Sequence, residues 1–355
     1  MVLAALALGA VACSDEEQAP HHETIAKLDE LPLAIVAHGD TVYIASDAEL
    51  VKVDDGTRSL VRIADGRYRE CPWDPWQKWD SLLGVAPRLT PDGSALLLSA
   101  YKCGAWAWPL NGGPTVPIAR ASRDFREWKT DTNPVWDYSS VPATRDGEDW
   151  IACGRQQSNL GSVDSEVWVL EADGKPKERL AQLDGRRCEW VEAEPGAVYA
   201  ATSDLISRID RTSKEVKTLV KKKGDSAFRV AGSTPTQFVV LHDKRIDLVP
   251  KDGGPAQTIV EVEPNGHCGY ACFDAAVDTT HVYWTNGLSL VRAPLAELTK
   301  HEVLVPAGDQ RRIFHQSSQL PTIALTSNAV WALMQQGETV ESRRPILARI
   351  PKPAQ

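Results

Sequence analysis

"DTVYIASDAELVKVDDGTRSLVRIAD", residues 40–65, contains three short runs rich in β-branched and aromatic residues, "TVYIAS", "ELVKV" and "LVRIAD". Turn formers separate them, including Asp55-Gly56, where glycine tolerates the positive φ that a tight hairpin turn needs. Three such strands make one antiparallel unit too small to bury its own faces. The fold therefore depends on whether the unit recurs.

It recurs six times. The counterparts are "GSALLLSAYKCGAWAWPLNGGPTVPIA" (93–119), "EDWIACGRQQSNLGSVDSEVWVLEADGKPKERLAQL" (148–183), "GAVYAATSDLISRIDRTSKEVKTLVKK" (196–222), "TQFVVLHDKRIDLVPKDGGPAQTIVEV" (236–262), "THVYWTNGLSLVRAPLAELTKHEVLVP" (280–306) and "NAVWALMQQGETVESRRPILARIP" (328–351). Aligning Tyr43, Leu97, Trp150, Tyr199, Val239, Tyr283 and Trp331 gives steps of about 40 to 55 residues, the period of propeller blades. Asp92-Gly93, Asp146-Gly147, Asp173-Gly174 and Asp252-Gly253 repeat the turn signal. The last unit ends at its third strand, "ILARIP", while "HETIAKLDE" (22–30) resembles an unpaired fourth strand. This predicts an all-β, seven-bladed β-propeller of four-stranded antiparallel blades over residues 22–352. The N-terminal strand completes the last blade, so that no edge of an open array is left exposed.

"VYWTN" (282–286) resembles the Tyr-Trp-Thr-Asp repeat class, and "LTPDGSALLLSA" (89–100) resembles the repeat of TolB-type propellers. The whole is similar to the propeller lipoproteins of bacteria. These resemblances imply a fold and carry no catalytic residue across.

The chain opens on "MVLAALALGAVAC", an apolar run too short to span a bilayer and ending in small residues before a cysteine. Ala10-Val11-Ala12-Cys13 resembles a lipobox. It implies a signal peptide over 1–13, a lipid on Cys13, a polar tether over 14–21 and an exported protein anchored to the membrane, outer-membrane or periplasm-facing. Without Cys13 the seven cysteines leave an even set of six, which suits an oxidising compartment. With no C-x-x-C or His-x-His grouping, neither a metal site nor a cofactor is expected. The net charge of −9 across 355 residues excludes a nucleic-acid binder, which needs a basic face to neutralise phosphates.

Strands of a blade alternate in direction. Loops between second and third strands therefore emerge with the inter-blade connections on one face of the disc, and the remaining hairpins emerge on the other. Every irregular segment falls on the first face: the connections 66–84, 120–138, 263–272 and 307–320, and the long loops 153–165 and 335–344. The six cysteines fall there too. The expected pairs are Cys71–Cys103 and Cys153–Cys188, each joining a loop within a blade to a neighbouring inter-blade loop, and Cys268–Cys272 within "CGYAC".

Seven of the twelve tryptophans lie in the second unit and its flanking loops. In "CPWDPWQKWD" (71–80), Asp74 suits an N-cap, Pro75 a first helical position and Gly84 a helix stop. Trp76, Trp79 and Leu83 then share one side of a short helix. That side caps the propeller core as a lid or, alternatively, offers Trp76 and Trp79 as a platform for a sugar ring or a cation. Trp150, Trp284 and Trp331 occupy the register shared with Tyr43 and Tyr199 and pack between blades. Trp73, Trp128 and Trp136 sit in loops and are the better candidates for ligand contact.

Arg155, Arg186, Arg187, His242, Asp243, His267, Arg311, Arg312 and His315 are assigned to the same face, each individually readable as a solvated or paired loop residue. The function expected is a non-catalytic binding or scaffold lipoprotein that presents its loop face to an envelope protein or glycan. A propeller enzyme of lyase, lactonase or hydrolase type would need converging groups at the channel mouth, for which His242, His267 and His315 are the candidates. A structural subunit of an envelope assembly is the third alternative.

Overall fold

In the computed structural model, the described residues are 22–28, 32–46, 49–65, 71–72, 87–100, 103–120, 141–155, 165–185, 187–222, 228–242, 245–261, 274–285, 289–306, 312–314, 321–336 and 344–353. They form seven antiparallel sheets arranged as a seven-bladed β-propeller. Blade 1 runs Pro32–His38, Thr41–Ser46, Glu49–Asp54 and Leu60–Asp65 from the channel outward. Blade 2 has Arg88–Leu89, Ala95–Ala100, Gly104–Pro109 and Val116–Arg120. Blade 3 has Ala143–Asp146, Asp149–Arg155, Ser165–Leu170 and Pro176–Leu183.

Blade 4 has Cys188–Glu194, Ala197–Thr202, Leu205–Asp210 and Val216–Lys221. Blade 5 has Phe228–Ser233, Gln237–His242, Arg245–Pro250 and Gln257–Glu261. Blade 6 has Asp274–Val277, His281–Thr285, Leu290–Pro294 and Glu302–Val305. In blade 7 the innermost position is filled in two pieces, Arg312–Phe314 and Ile323–Leu325, both paired with Ala329–Gln336. Part of the expected connection 307–320 is therefore strand.

The ring closes as the unpaired fourth strand requires. Glu23–Lys27 pairs antiparallel with Arg344–Pro351, Glu23 opposite Arg349 and Lys27 opposite Ile346. Its Ile25 and Leu28 join the core cluster that binds blade 7 to blade 1.

The second strand of each blade fixes the packing. It is buried on both sides, and its period of two sends alternate residues to different neighbours. Tyr43 packs toward blade 2, whereas Val42 and Ile44 pack toward blade 7. Tyr199 faces blade 5, Tyr283 faces blade 7 and Trp331 faces blade 1. Trp150 and Trp284 are displaced by one residue from that register and turn to the preceding blade, Trp150 against Leu97 and Trp284 against Val239 and Leu241. Their burial between blades agrees with the sequence expectation, but the side they occupy does not. The reason is that register is counted from the turn-closing residue of the strand, such as Thr41, Asp149 or His281, and not from the aromatic. Every adjacent pair of blades, including 7 with 1, shares one apolar cluster.

Short turns crowd one face, called the turn face below. Aspartates cap them: Asp54 accepts from Gly56 N, Asp92 from Ser94 N, Asp210 from Thr212 and Ser213 N, Asp252 from Gly254 N and Asp278 from Thr280 and His281 N. The residue following the third strand repeats a clasp. Asp55, Leu110, Arg211, Lys251, Leu295 and Lys352 each donate their backbone N–H to a carbonyl in the first turn of their own blade. Their side chains then reach a neighbouring blade. Arg211 bonds Asp146 of blade 3 at 2.7 Å, Lys251 bonds Glu192 of blade 4 at 2.7 Å and Lys352 bonds Asp278 of blade 6 at 2.8 Å. Asp55 accepts from Arg349 of blade 7 at 2.6 Å. Leu110 and Leu295 do the same work with apolar contact.

The inter-blade core and the clasps give one expectation each. Trp331 is fully buried, and Trp331→Ala should lower stability by about 3–5 kcal/mol in urea unfolding, as large-to-small core changes do. Burial would raise the Asp278 carboxyl, but its bonds from Lys352, Thr280 N and His281 N prevail and hold it at about 2. A lowered folded pKa contributes stability above the unfolded value that is lost as pH falls through the folded one. Asp278→Asn should therefore cost about 1–2 kcal/mol at pH 7, and the deficit should vanish between pH 4 and pH 2 in parallel denaturation curves. A deficit unchanged at pH 2 would show that the clasp is not ionic.

Candidate functional site

The innermost strands start on the face opposite the turns, called the loop face, and their edges line the central channel. Blade 4 begins with an irregularity. Cys188 pairs with Thr202 and Trp190 with Ala201, so Glu189 is the extra, unpaired residue of a β-bulge. A bulge re-aims a side chain that regular alternation would place elsewhere. Here the residue left out of the ladder is a carboxyl, at the loop-face start of an innermost strand.

Glu189 lies in the field of Arg187 and Arg229. Burial raises its pKa above the ordinary glutamate value against the attraction of Arg187, Arg229 and Lys222, with Asp204 adding repulsion. Arg229, on the innermost strand of blade 5, also donates to Asp274 of blade 6 at 3.0 Å. Asp274 in turn accepts from Thr322 N at 2.6 Å, Thr322 Oγ1 at 3.1 Å and Ile323 N at 3.1 Å. Bonded charged and polar groups thus link the innermost strands of blades 5, 6 and 7. Asp274 is 4% exposed and fully engaged, so its role is to hold the starts of three innermost strands together.

Arg88, from blade 2, reaches past blade 3. Its guanidinium carbon stands 3.4 Å over the Trp190 ring, and Nη1 donates to Val191 O at 2.7 Å. Loss of water lowers its pKa to about 10 while Glu192 opposes the shift, so it remains a cation at neutral pH. Arg88, Ser99 and Val141 also line a small cavity between blades 2 and 3, bounded by apolar side chains from both.

Two disulfides mark the same end of the disc. Cys71, before the first strand of blade 2, is bonded to Cys103 just before that blade's third strand, with Cα atoms 5.9 Å apart. Cys153 is bonded to Cys188 with Cα atoms 5.8 Å apart, joining blade 3 to blade 4. Both pairs are those expected from loop parity. The second differs in setting: Cys153 lies within the strand Asp149–Arg155 and Cys188 begins an innermost strand, so this bridge joins strands and not loops. Cys188 also anchors the bulge that carries Glu189.

Arg187 lies just before the innermost strand of blade 4, and its charge draws the Glu189 carboxyl down against the effect of burial. His242 is placed differently, at the end of the second strand of blade 5 with its side chain 6% exposed. Its Nε2 lies 3.0 Å from Asp247 Oδ2, and its ring meets Phe228 edge-on with centroids 5.4 Å apart. Burial would raise Asp247, but bonds from His242 and Thr258 and the charges of His242 and Arg245 leave it below the usual range. His242 is thus part of a cluster internal to blade 5. Arg155 ends the second strand of blade 3, opposite Ser165. Trp73, Trp76, Trp79, Trp128, Trp136, His267, Arg311 and His315 lie outside the described residues, as do Cys13, Arg186, Asp243 and the Cys268–Cys272 pair. Among the described residues, no grouping of three His, Cys, Asp or Glu side chains is placed to hold a metal ion.

Glu189, Arg229, Asp274 and the Arg88–Trp190 stack were not anticipated from sequence. Strand starts could have signalled Arg229 and Asp274, because a charge at the head of an otherwise apolar innermost strand has only the channel mouth or a partner to meet.

No family model matches the chain, and no curated protein matches its sequence. Solved structures match the fold. The oligogalacturonate lyase of Vibrio parahaemolyticus aligns with a TM-score of 0.56 and 10% identity, covering 93% of each chain. An oligogalacturonate lyase in complex with manganese gives 0.53 and 9% identity, covering 89% of this chain and 87% of that one. The RRP9 WD40 repeats give 0.54 and 11% identity, covering 93% and 97%. At such identities the likeness is one of fold.

A carboxyl whose folded pKa is raised favours folding below its unfolded pKa and loses that contribution as pH rises through the folded value. Glu189→Gln should therefore match the parent near pH 4 and be the more stable protein at pH 7. A variant less stable at pH 7 would mean that Arg187 and Arg229 stabilise a carboxylate there, and the raised pKa would be wrong.

Proposed function

We propose that the protein is an exported binding propeller, anchored by lipid on Cys13 and facing the periplasm, that presents its loop face to a protein or glycan of the cell envelope. The observation that carries this reading is the contrast between the two faces. Tight, aspartate-capped turns make up one, while both described disulfides pin segments that open on the other. Each cross-link removes denatured-state freedom, about 2–4 kcal/mol by the chain-entropy account. It also preorganises whatever the loop face binds. The lipobox and the even cysteine set support export. The tryptophans at 73, 76, 79, 128 and 136 are of a residue type suited to contact with a glycan or a protein.

One observation favours an enzyme as the second reading. Glu189 sits out of the ladder at the loop-face start of an innermost strand, where burial pushes its carboxyl up against the pull of Arg187 and Arg229, a setting that suits a general acid.

A thermal-shift screen of residues 20–355 against envelope glycans, peptidoglycan fragments and divalent metals tests both. A glycan shift that disappears in a Trp73→Ala/Trp128→Ala double variant is the expected result. A shift abolished by Glu189→Gln, with turnover of the glycan, would replace binding with catalysis. If no glycan acts, in-cell cross-linking should capture an envelope protein on the loop face. Failure of both would reject the binding reading.

A further inference from the structure

The closing strand has a direction, and that direction sets which way the disc faces. Arg344–Pro351 runs from the loop face to the turn face, because Pro351 is followed by Lys352 in the turn-face clasp to Asp278. Glu23–Lys27 is antiparallel to it, with Glu23 opposite Arg349 and Lys27 opposite Ile346. The strand therefore enters at the turn face and leaves at the loop face. Arg58, in a turn of blade 1 on the turn face, fixes this end through a 2.8 Å ion pair with Glu23. His22, immediately before it, is buried. Any chain N-terminal to His22 departs from the turn face at the rim between blades 7 and 1.

Resting on the lipid-anchor reading above, we propose that the turn face is the membrane-proximal face of the protein and that the loop face is held away from the lipid. Cys13 stands nine residues before His22. Such a segment has a relaxed end-to-end distance of about 15–18 Å and a maximum near 30 Å. Strands of six to eight residues make the disc roughly 20–25 Å thick. Turning the loop face to the lipid would require the segment to climb the outer edge of blade 7 almost fully stretched. The upright arrangement leaves it relaxed. The carboxylates of Asp54, Asp92, Asp210 and Asp252 cap turns on this face, and anionic lipid repels them little once they stand more than a Debye length, about 8 Å, from it.

The test uses the full lipidated protein in vesicles of neutral and anionic phospholipid carrying a headgroup quencher. An azide-bearing residue clicked to a fluorophore is placed at Ser59 on the turn face or at Pro306 on the loop face, both exposed. Quenching at 59 should exceed that at 306 several-fold, and a 20-residue Gly-Ser insertion after Cys13 should shrink the difference. Equal or reversed quenching in the parent overturns the orientation. Mass spectrometry of the N-terminal peptide reports separately on the anchor. If cells leave Cys13 unmodified, the anchored reading fails. The same measurement on protein coupled through Cys13 to a maleimide lipid still decides the geometry.

Discussion

The second strand of each blade is buried on both faces, and its odd and even residues pack against different neighbours. Val42 and Ile44 need blade 7 as much as Tyr43 needs blade 2. An array of such strands has no stable end, because a terminal blade would expose one apolar face to water. Closure is therefore a requirement of the strand chemistry. Where blade 7 meets blade 1, Trp331, Leu333 and Ala324 pack on Ile35, Val42 and Ile44 as any internal pair of blades does. The closing strand adds Ile25 and Leu28 to the same cluster, so the joint that binds the ring shut has a backbone ladder as well as a core.

Closure divides the labour between the two faces. On the turn face the connections are mostly short, and at several of them an aspartate or threonine side chain satisfies the backbone locally. The clasp residues after the third strands then tie blade to blade with charge or with leucine, whichever the neighbour complements. Stability is thus supplied at the turn face and between blades. On the loop face the two described disulfides add covalent links to hydrogen-bonded turns such as Ser46–Glu49 and Thr202–Leu205.

Much of this was legible because it is periodic. Aromatics at blade spacing, Asp-Gly turns and a missing fourth strand are local signals, and together they specify blade number and closure. Loop parity extended them to the cysteines, since segments emerging on one face from adjacent strands are neighbours regardless of their separation along the chain. The misplacement of Trp150 and Trp284 has a specific cause. Aligning on the largest side chain ignores the turn, and with a period of two an error of one residue exchanges the neighbouring blade. The channel mouth was less legible for a different reason. Glu189 reaches it through a bulge, a property of how two strands pair, and the sequence "RRCEWVE" contains no mark of it. Arg88 meets Trp190 across a third blade, a contact set by the radius of the ring and not by any local pattern.

The bulge and the disulfide at Cys188 are best understood together. An unpaired residue at the start of an innermost strand leaves that strand able to slip by one against its neighbour unless something holds it. Bonding Cys188 to Cys153, on the buried second strand of blade 3, forbids the slip from one side. Stacking of Arg88 on Trp190, with its bond to Val191 O, forbids it from the other. Glu189 is partly buried, and loss of water raises its carboxyl against the attraction of Arg187 and Arg229. The restraints converge on Glu189 from blades 2 and 3. That convergence holds the loop-face end of blade 4 in one register among the described residues.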